Sequence, residues 1–71
     1  MNAAAETITL NGAVRPLERE VTIGELLAEL GLPRERVAVE LDGRIVRKAE
    51  YDSVRVAPGA RVEVVSFVGG G

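Results

Sequence analysis

The feature that most restricts this chain is a short, sharply bounded helix. Thr22-Ile-Gly-Glu25 reads as a capping box, with Thr22 at the N-cap and Glu25 three residues on, each side chain placed to serve the other's backbone N–H. Val21 and Leu26 stand where a hydrophobic staple would hold the entering chain. Ile23, Leu26, Leu27 and Leu30 recur at i, i+3, i+4 and i+7, so one face is apolar. Gly31 suits the left-handed position that ends a helix, and Pro33 blocks its continuation. The spacing therefore predicts a helix over 23–30. Such a helix is too short to persist alone in water and must lay its stripe on something else, namely a sheet.

The rest of the sequence supplies strands. Glu6 to Leu10 alternates polar and apolar residues, and Asn11-Gly12 signals a hairpin. Side-chain parity favours a three-residue loop, Asn11 to Ala13, with a bulge. That register sets Leu10 opposite Val14, both inward, and starts the second strand at about Val14 and ends it near Leu17. Val37, Val39 and Leu41 alternate with Ala38 and Glu40, and Asp42-Gly43 turns into Arg44-Ile45-Val46. Val46 then opposes Val39 on the core side, and Ile45 falls beside Glu40 on the other face. Residues 47–56 read as a loop or short helical turn leading to an edge segment. Ala57-Pro-Gly-Ala60 carries Pro and Gly at the centre of a type II turn. Arg61 to Phe67 is β-branched and strand-forming. Hairpin, helix, second strand pair, crossover and last strand make an α+β fold: a single β-grasp domain over 1–71, with one main helix on one face of a mixed sheet.

Composition removes most chemistries. The 71 residues include no Cys, His or Trp, which excludes disulfides, thiol nucleophiles, His-based triads and ordinary zinc sites. No Gly-rich phosphate loop is present. A net charge of −2 and two aromatic residues, Tyr51 and Phe67, argue against nucleic-acid binding. No cationic start precedes an apolar run and no run approaches a membrane span, so no signal peptide, no membrane partner and a cytoplasmic location are expected. What remains is the end, Gly69-Gly70-Gly71. The α-carboxylate of Gly71 is ionised at neutral pH and needs no base to act as a nucleophile. Without Cβ atoms, Gly69 and Gly70 form a thin, flexible arm able to enter a narrow channel. On the last strand Val62 and Val64 share one parity, Val65 and Phe67 the other. If the first pair meets the helix, Val65 and Phe67 face outward with Ile45, as an apolar partner surface directly before the glycines.

These residues resemble the ThiS family, sulfur carriers of thiamin (thiazole) biosynthesis. The resemblance runs through Leu10-Asn11-Gly12, Thr22-Ile23 with Glu25-Leu26-Leu27, Val37-Ala-Val-Glu-Leu41, Gly43, Ile45-Val46, Tyr51 and Gly59. It is most specific over Val64-Val-Ser-Phe-Val-Gly-Gly-Gly71. Asp42 stands where many relatives carry Asn, and either residue tolerates the turn. The resemblance implies a carrier that is a co-substrate of partner enzymes and not itself an enzyme. An E1-like, ThiF-like adenylyltransferase, using ATP and Mg²⁺, would adenylate the Gly71 carboxylate. Sulfur from a cysteine desulfurase would displace AMP to leave a thiocarboxylate, and a ThiG-like thiazole synthase would take the sulfur. No cofactor is expected on the carrier itself. Val65, Phe67, Val68 and Ile45 would bind partners. Two related roles share the fold and the Gly-Gly end: a MoaD-like carrier for molybdopterin or tRNA thiolation, and a ubiquitin-like protein-conjugating tag.

Overall fold

A computed structural model describes residues 6–67. Strands β1 (Thr7–Leu10) and β2 (Ala13–Pro16) form the first hairpin, and β3 (Val21–Thr22) leads into helix α1 (Ile23–Leu30). A 3₁₀ turn, Arg34–Arg36, precedes the antiparallel pair β4 (Val37–Leu41) and β5 (Arg44–Val46). A second 3₁₀ turn, Lys48–Glu50, precedes β6 (Arg55–Val56), and β7 (Arg61–Ser66) closes the fold. The main sheet has the order β2-β1-β7-β4-β5, with β1 and β7 parallel and its other pairs antiparallel. The β-grasp expectation holds: one helix packs on a five-stranded mixed sheet.

The helix bounds follow from its ends. Thr22 Oγ1 accepts from the Glu25 N–H at 3.0 Å and Glu25 Oε1 accepts from the Thr22 N–H at 2.9 Å, completing the capping box. Gly31 stops the helix at φ 72°. Ile23, Leu26 and Leu27 are buried against Ile8, Val37, Val39, Val62 and Val64 on the inner face of the sheet, with Val21, Tyr51 and Val56 closing the core beside them. Full burial of each such aliphatic side chain stabilises the fold by about 1.5–3 kcal/mol, which offsets the helix's own marginal stability.

The first hairpin differs from the expected register. Its loop has two residues, with Leu10 opposite Ala13 and Thr9 opposite Val14. Asn11 and Gly12 both hold positive φ, 51° and 84°. That is the signature of a type I′ turn, whose twist matches the flanking strands, so turn geometry overrides side-chain parity here. Val14 points outward at 72% exposure. The inward place goes to Arg15, whose stem leans over the sheet edge while its guanidinium reaches Glu29 on α1 at 3.8 Å. The second hairpin matches expectation, with Val39 opposite Val46 and Glu40 opposite Ile45.

Sequence periodicity does not reveal the small sheet of β3 and β6. Val21 pairs with Val56, and Thr22 with Arg55. The Ile23 N–H also donates to the Val54 C=O at 3.0 Å, and the Gly24 N–H to the Tyr51 C=O at 2.8 Å. These bonds tie the helix N-terminus to the crossover.

Candidate docking face and carboxyl-terminal strand

β7 occupies the centre of the main sheet, between β1 and β4. Its alternation sorts its side chains cleanly. Val62 and Val64 are buried under α1, while Val65 and Phe67 are 58% and 59% exposed on the opposite face. Ile45 shares that face at 76% exposure. The outward placement expected for these three residues therefore holds. Val65 and Phe67 lie two residues apart on one strand. Val65 pairs with Ala38, and Ile45 with Glu40, so Ile45 stands two strands away from Val65, with β4 between them, and one same-face row along. Val68, Gly69, Gly70 and Gly71, the other expected site residues, lie outside the described residues.

The chain is held as far as Phe67, the last described residue. Val37 pairs with Ser66, and the Phe67 N–H donates to the Arg36 C=O at 2.7 Å. The Val37 carbonyl also receives Lys48 Nζ at 3.0 Å. On the other flank β1 ends at Leu10, and the Asn11 side chain continues the pairing. Its Oδ1 accepts from the Val64 N–H at 2.8 Å, and its Nδ2 donates to the Val64 C=O at 3.2 Å. Asn11 reads from sequence only as a turn residue, and nothing local signals a partner 53 positions away.

Two residues on the open face were not singled out from sequence. Glu40 on β4 and Glu63 on β7 are directly opposed, with Ile45 on the far side of Glu40 and Val65 next along β7 from Glu63. Only the register, which local sequence does not give, brings them together.

The groups with shifted protonation lie elsewhere, at the helix N-terminus. Arg34 and Asp52 form a two-pronged pair, with Nη2–Oδ1 at 2.7 Å and Nη1–Oδ2 at 2.9 Å. The hydrogen bonds and charge of Arg34 hold the Asp52 carboxyl below its ordinary range, and those of Asp52 raise Arg34. Burial pushes the Tyr51 phenol up. Beyond the sheet edge, a dent of about 320 Å³ lies between β2 and α1 over Ile8, Leu17, Val21 and Leu26. The two arginines at its rim, Arg15 and Arg19, both turn to Glu29 at 3.8 Å. Among the described residues no group of three or more His, Cys, Asp or Glu side chains is arranged to hold a metal ion, and no helix is long and apolar enough to cross a membrane.

Comparison with known proteins agrees with this geometry. The crystal structure of the thiamine biosynthesis protein (ThiS) from Geobacter metallireducens superposes with a TM-score of 0.78 at 32% identity, covering 92% of this chain and 99% of that one. The solution structure of a thiamine biosynthesis protein from Geobacter metallireducens matches equally well, with 87% of that chain covered. A thiazole synthase of Paramagnetospirillum magneticum is 41% identical over 64 residues, and one of Magnetococcus marinus is 39% identical over 64. In both cases 90% of this chain is aligned to 20% of the relative, so the chain spans about a fifth of the length of these curated relatives. The ThiS family model matches residues 8–71, from β1 through the glycines, and the chain belongs to the ThiS family.

Proposed function

We propose that this chain is a sulfur carrier for thiamin thiazole formation, with the Gly71 carboxylate as the point of attachment. The observation that carries the reading is the family match through residue 71, on a fold whose central strand ends at Ser66, three residues before Gly69 in the sequence. The folded body is the part that partners grip, by Val65, Phe67 and Ile45 together with Val68. The glycines carry the cargo, because they present no side chain to obstruct a narrow active-site channel.

The chemistry divides between the chain and its partners. A carboxylate is a poor acyl donor because its oxygen leaves badly. An E1-like adenylyltransferase, using ATP and Mg²⁺, solves this by joining a carboxylate oxygen of Gly71 to the α-phosphorus of ATP and expelling pyrophosphate. The terminal sulfur of a persulfide, supplied by a cysteine desulfurase, then attacks the acyl carbon and AMP leaves; a thiol cleaves the S–S bond of the resulting acyl disulfide, releasing the thiocarboxylate and leaving as a disulfide. A thiazole synthase accepts the sulfur. The relatives named thiazole synthase contain a region like this chain within a longer polypeptide, which supports an association between carrier and synthase. The carrier supplies an acyl end and a docking surface and catalyses none of these steps.

Intact mass spectrometry tests the proposal. After incubation with an adenylating partner, ATP, Mg²⁺ and a sulfur source, the chain is expected to gain the mass difference of sulfur for oxygen, located at Gly71. A chain lacking Gly70 and Gly71 is expected to fold as before and gain nothing. An unchanged mass in the full chain, with the partner shown to be active on another carrier, refutes the reading.

A further inference from the structure

Asn11 makes more bonds to the central strand than its turn requires. On the β1 flank, the Ala60 C=O accepts from the Thr9 N–H and the Val62 C=O from the Asn11 N–H, each at 2.9 Å. The backbone then turns away into β2. The next rung, Val64, is met by the Asn11 side chain instead, through Oδ1 at 2.8 Å and Nδ2 at 3.2 Å. The second hairpin provides an internal comparison. Asp42 and Gly43 repeat the backbone of Asn11 and Gly12, with φ 52° and 84° against 51° and 84°. Asp42 also reaches β7, where its Oδ1 accepts from the Arg61 N–H at 2.8 Å. The Arg61 C=O is already served by the Asp42 N–H at 2.8 Å, so an acceptor alone is enough there. At Val64 both backbone groups need a partner, and an amide supplies acceptor and donor together. Asn, Asp and Gly all suit the first central place of this turn. The rung at Val64, not the turn, singles out Asn at position 11.

The place of that rung matters for the end of the chain. β1 pairs with β7 only as far as Val62, so the Asn11 amide carries two-sided support two residues further. Phe67 follows three residues later, bonded to Arg36 on the β4 flank. Gly71 is four residues beyond Phe67 in the sequence, a reach of at most ~14 Å of extended chain. Over so short an arm, the direction in which β7 is held decides where a terminal carboxylate is delivered, and delivery geometry weighs heavily on rate. We propose that Asn11 is a positioning residue for the transfer chemistry. It acts through β7 and not on the reacting atoms, and it fixes the line along which the Gly71 carboxylate approaches a partner's active site. This inference rests on the carrier reading above and adds what aims the cargo end.

The test compares Asn11→Gly with Asp42→Gly in the full chain. Both keep the turn, and each removes a side-chain rung from β7, at Val64 in one case and at Arg61, the strand's first residue, in the other. An adenylating partner with ATP and Mg²⁺ is assayed by pyrophosphate release, with the carrier as the varied substrate. The temperature is one at which unfolding curves show every chain folded. Asn11→Gly is expected to lower kcat by about threefold or more with KM near parental, and to speed hydrogen exchange at the Phe67 amide. Asp42→Gly is expected to lower the unfolding midpoint yet keep the parental kcat, which a merely structural role for Asn11 does not produce. Asn11→Asp, with the acceptor but not the donor, is expected to lie between parent and Asn11→Gly, and it carries the comparison if Asn11→Gly does not fold. Parental kcat in the Asn11 variants overturns the assignment. So does an equal fall in Asp42→Gly, or a loss confined to KM, which places the effect in docking. A parent that is not adenylated, by a partner active on another carrier, refutes the carrier reading itself.

Discussion

Asn11 gives the sharpest quantitative test of how this sheet is held. The residue does two things at once. It occupies the first central position of the type I′ turn at φ 51°, and its amide makes two bonds to the Val64 backbone beyond the end of β1. In Asn11→Ala both bonds go, at about 1 kcal/mol each. Alanine must also adopt a left-handed backbone, at a further cost of about 1 kcal/mol. The sum is about 3 kcal/mol. At ~4–8 °C per kcal/mol for a domain of this size, the thermal midpoint is expected to drop by roughly 12–24 °C.

Two further substitutions separate the contributions. Asn11→Gly relieves the backbone strain but leaves the Val64 N–H and C=O without the amide, so it is expected to lose about 2 kcal/mol. Asn11→Asp keeps an acceptor for the Val64 N–H but opposes the Val64 carbonyl with a carboxylate, and is expected to fall between parent and alanine. Urea unfolding followed by circular dichroism measures all three, with unchanged slopes required for the comparison. If Asn11→Gly matches the parent, Asn11 acts only through its turn conformation. If Asn11→Ala loses less than about 1 kcal/mol, the bridge to β7 contributes nothing and the reasoning fails.

Thr22→Ala removes the acceptor for the Glu25 N–H and is expected to cost about 1 kcal/mol in urea unfolding, with Glu25→Ala adding little once the box is broken. Gly24→Ala places a Cβ inside the contact distance of Arg34 Nη2 and Asp52 Oδ1, so the two-pronged pair must swing away. An NMR titration is expected to show the Asp52 carboxyl rising back toward 3.8 in that variant. Tyr51 titrates above its ordinary 10.0 in the folded chain because it is buried, so the unfolded chain loses this proton first. Its contribution to stability is present below pH 10.0 and is lost as pH rises through the higher folded value. Tyr51→Phe is expected to flatten that alkaline decline in unfolding free energy.

Where sequence and structure agree, each segment carries its own complete signal. The helix is bounded by residues that act within one turn of its ends, so Thr22, Glu25 and Gly31 place it without knowledge of the sheet. Alternation over 37–41 and 61–66 is long enough to assign faces, and the outward placement of Ile45, Val65 and Phe67 follows from parity alone. At the first hairpin two local rules compete, and the structure follows the turn. The turn residues favour two residues, the apolar parity favours three, and on an edge strand Val14 is free to give way. The β3–β6 pair, the Asn11 bridge and the Glu40–Glu63 contact are all non-local. Two-residue strands are too short to alternate, and partners 53 positions apart share no window. The candidate site was thus half legible. Its apolar members are periodic, and its charged members are neighbours only by register.

Sheet order makes a final prediction about the two ends of the chain. β1 and β7 run parallel, so the start of β1 lies at the opposite end of the sheet from the point where β7 delivers Phe67. The Gly59 N–H donates to the Thr7 C=O at 2.7 Å, so the chain enters beside the Pro58–Gly59 turn. The chain therefore enters β1 at the end of the sheet opposite Phe67. β7 is flanked by strands on both sides, and its last amide in the described chain, that of Phe67, is bonded to Arg36, so a partner pulling on the glycines works against a central strand and not an edge. An amino-terminal affinity tag is accordingly expected to leave both synthase affinity and sulfur loading at parental values. A carboxyl-terminal tag converts the Gly71 carboxylate to an amide and is expected to abolish loading while leaving the thermal midpoint unchanged. Sulfur loading that survives a carboxyl-terminal tag verified as uncleaved would show that the cargo rides elsewhere on the chain.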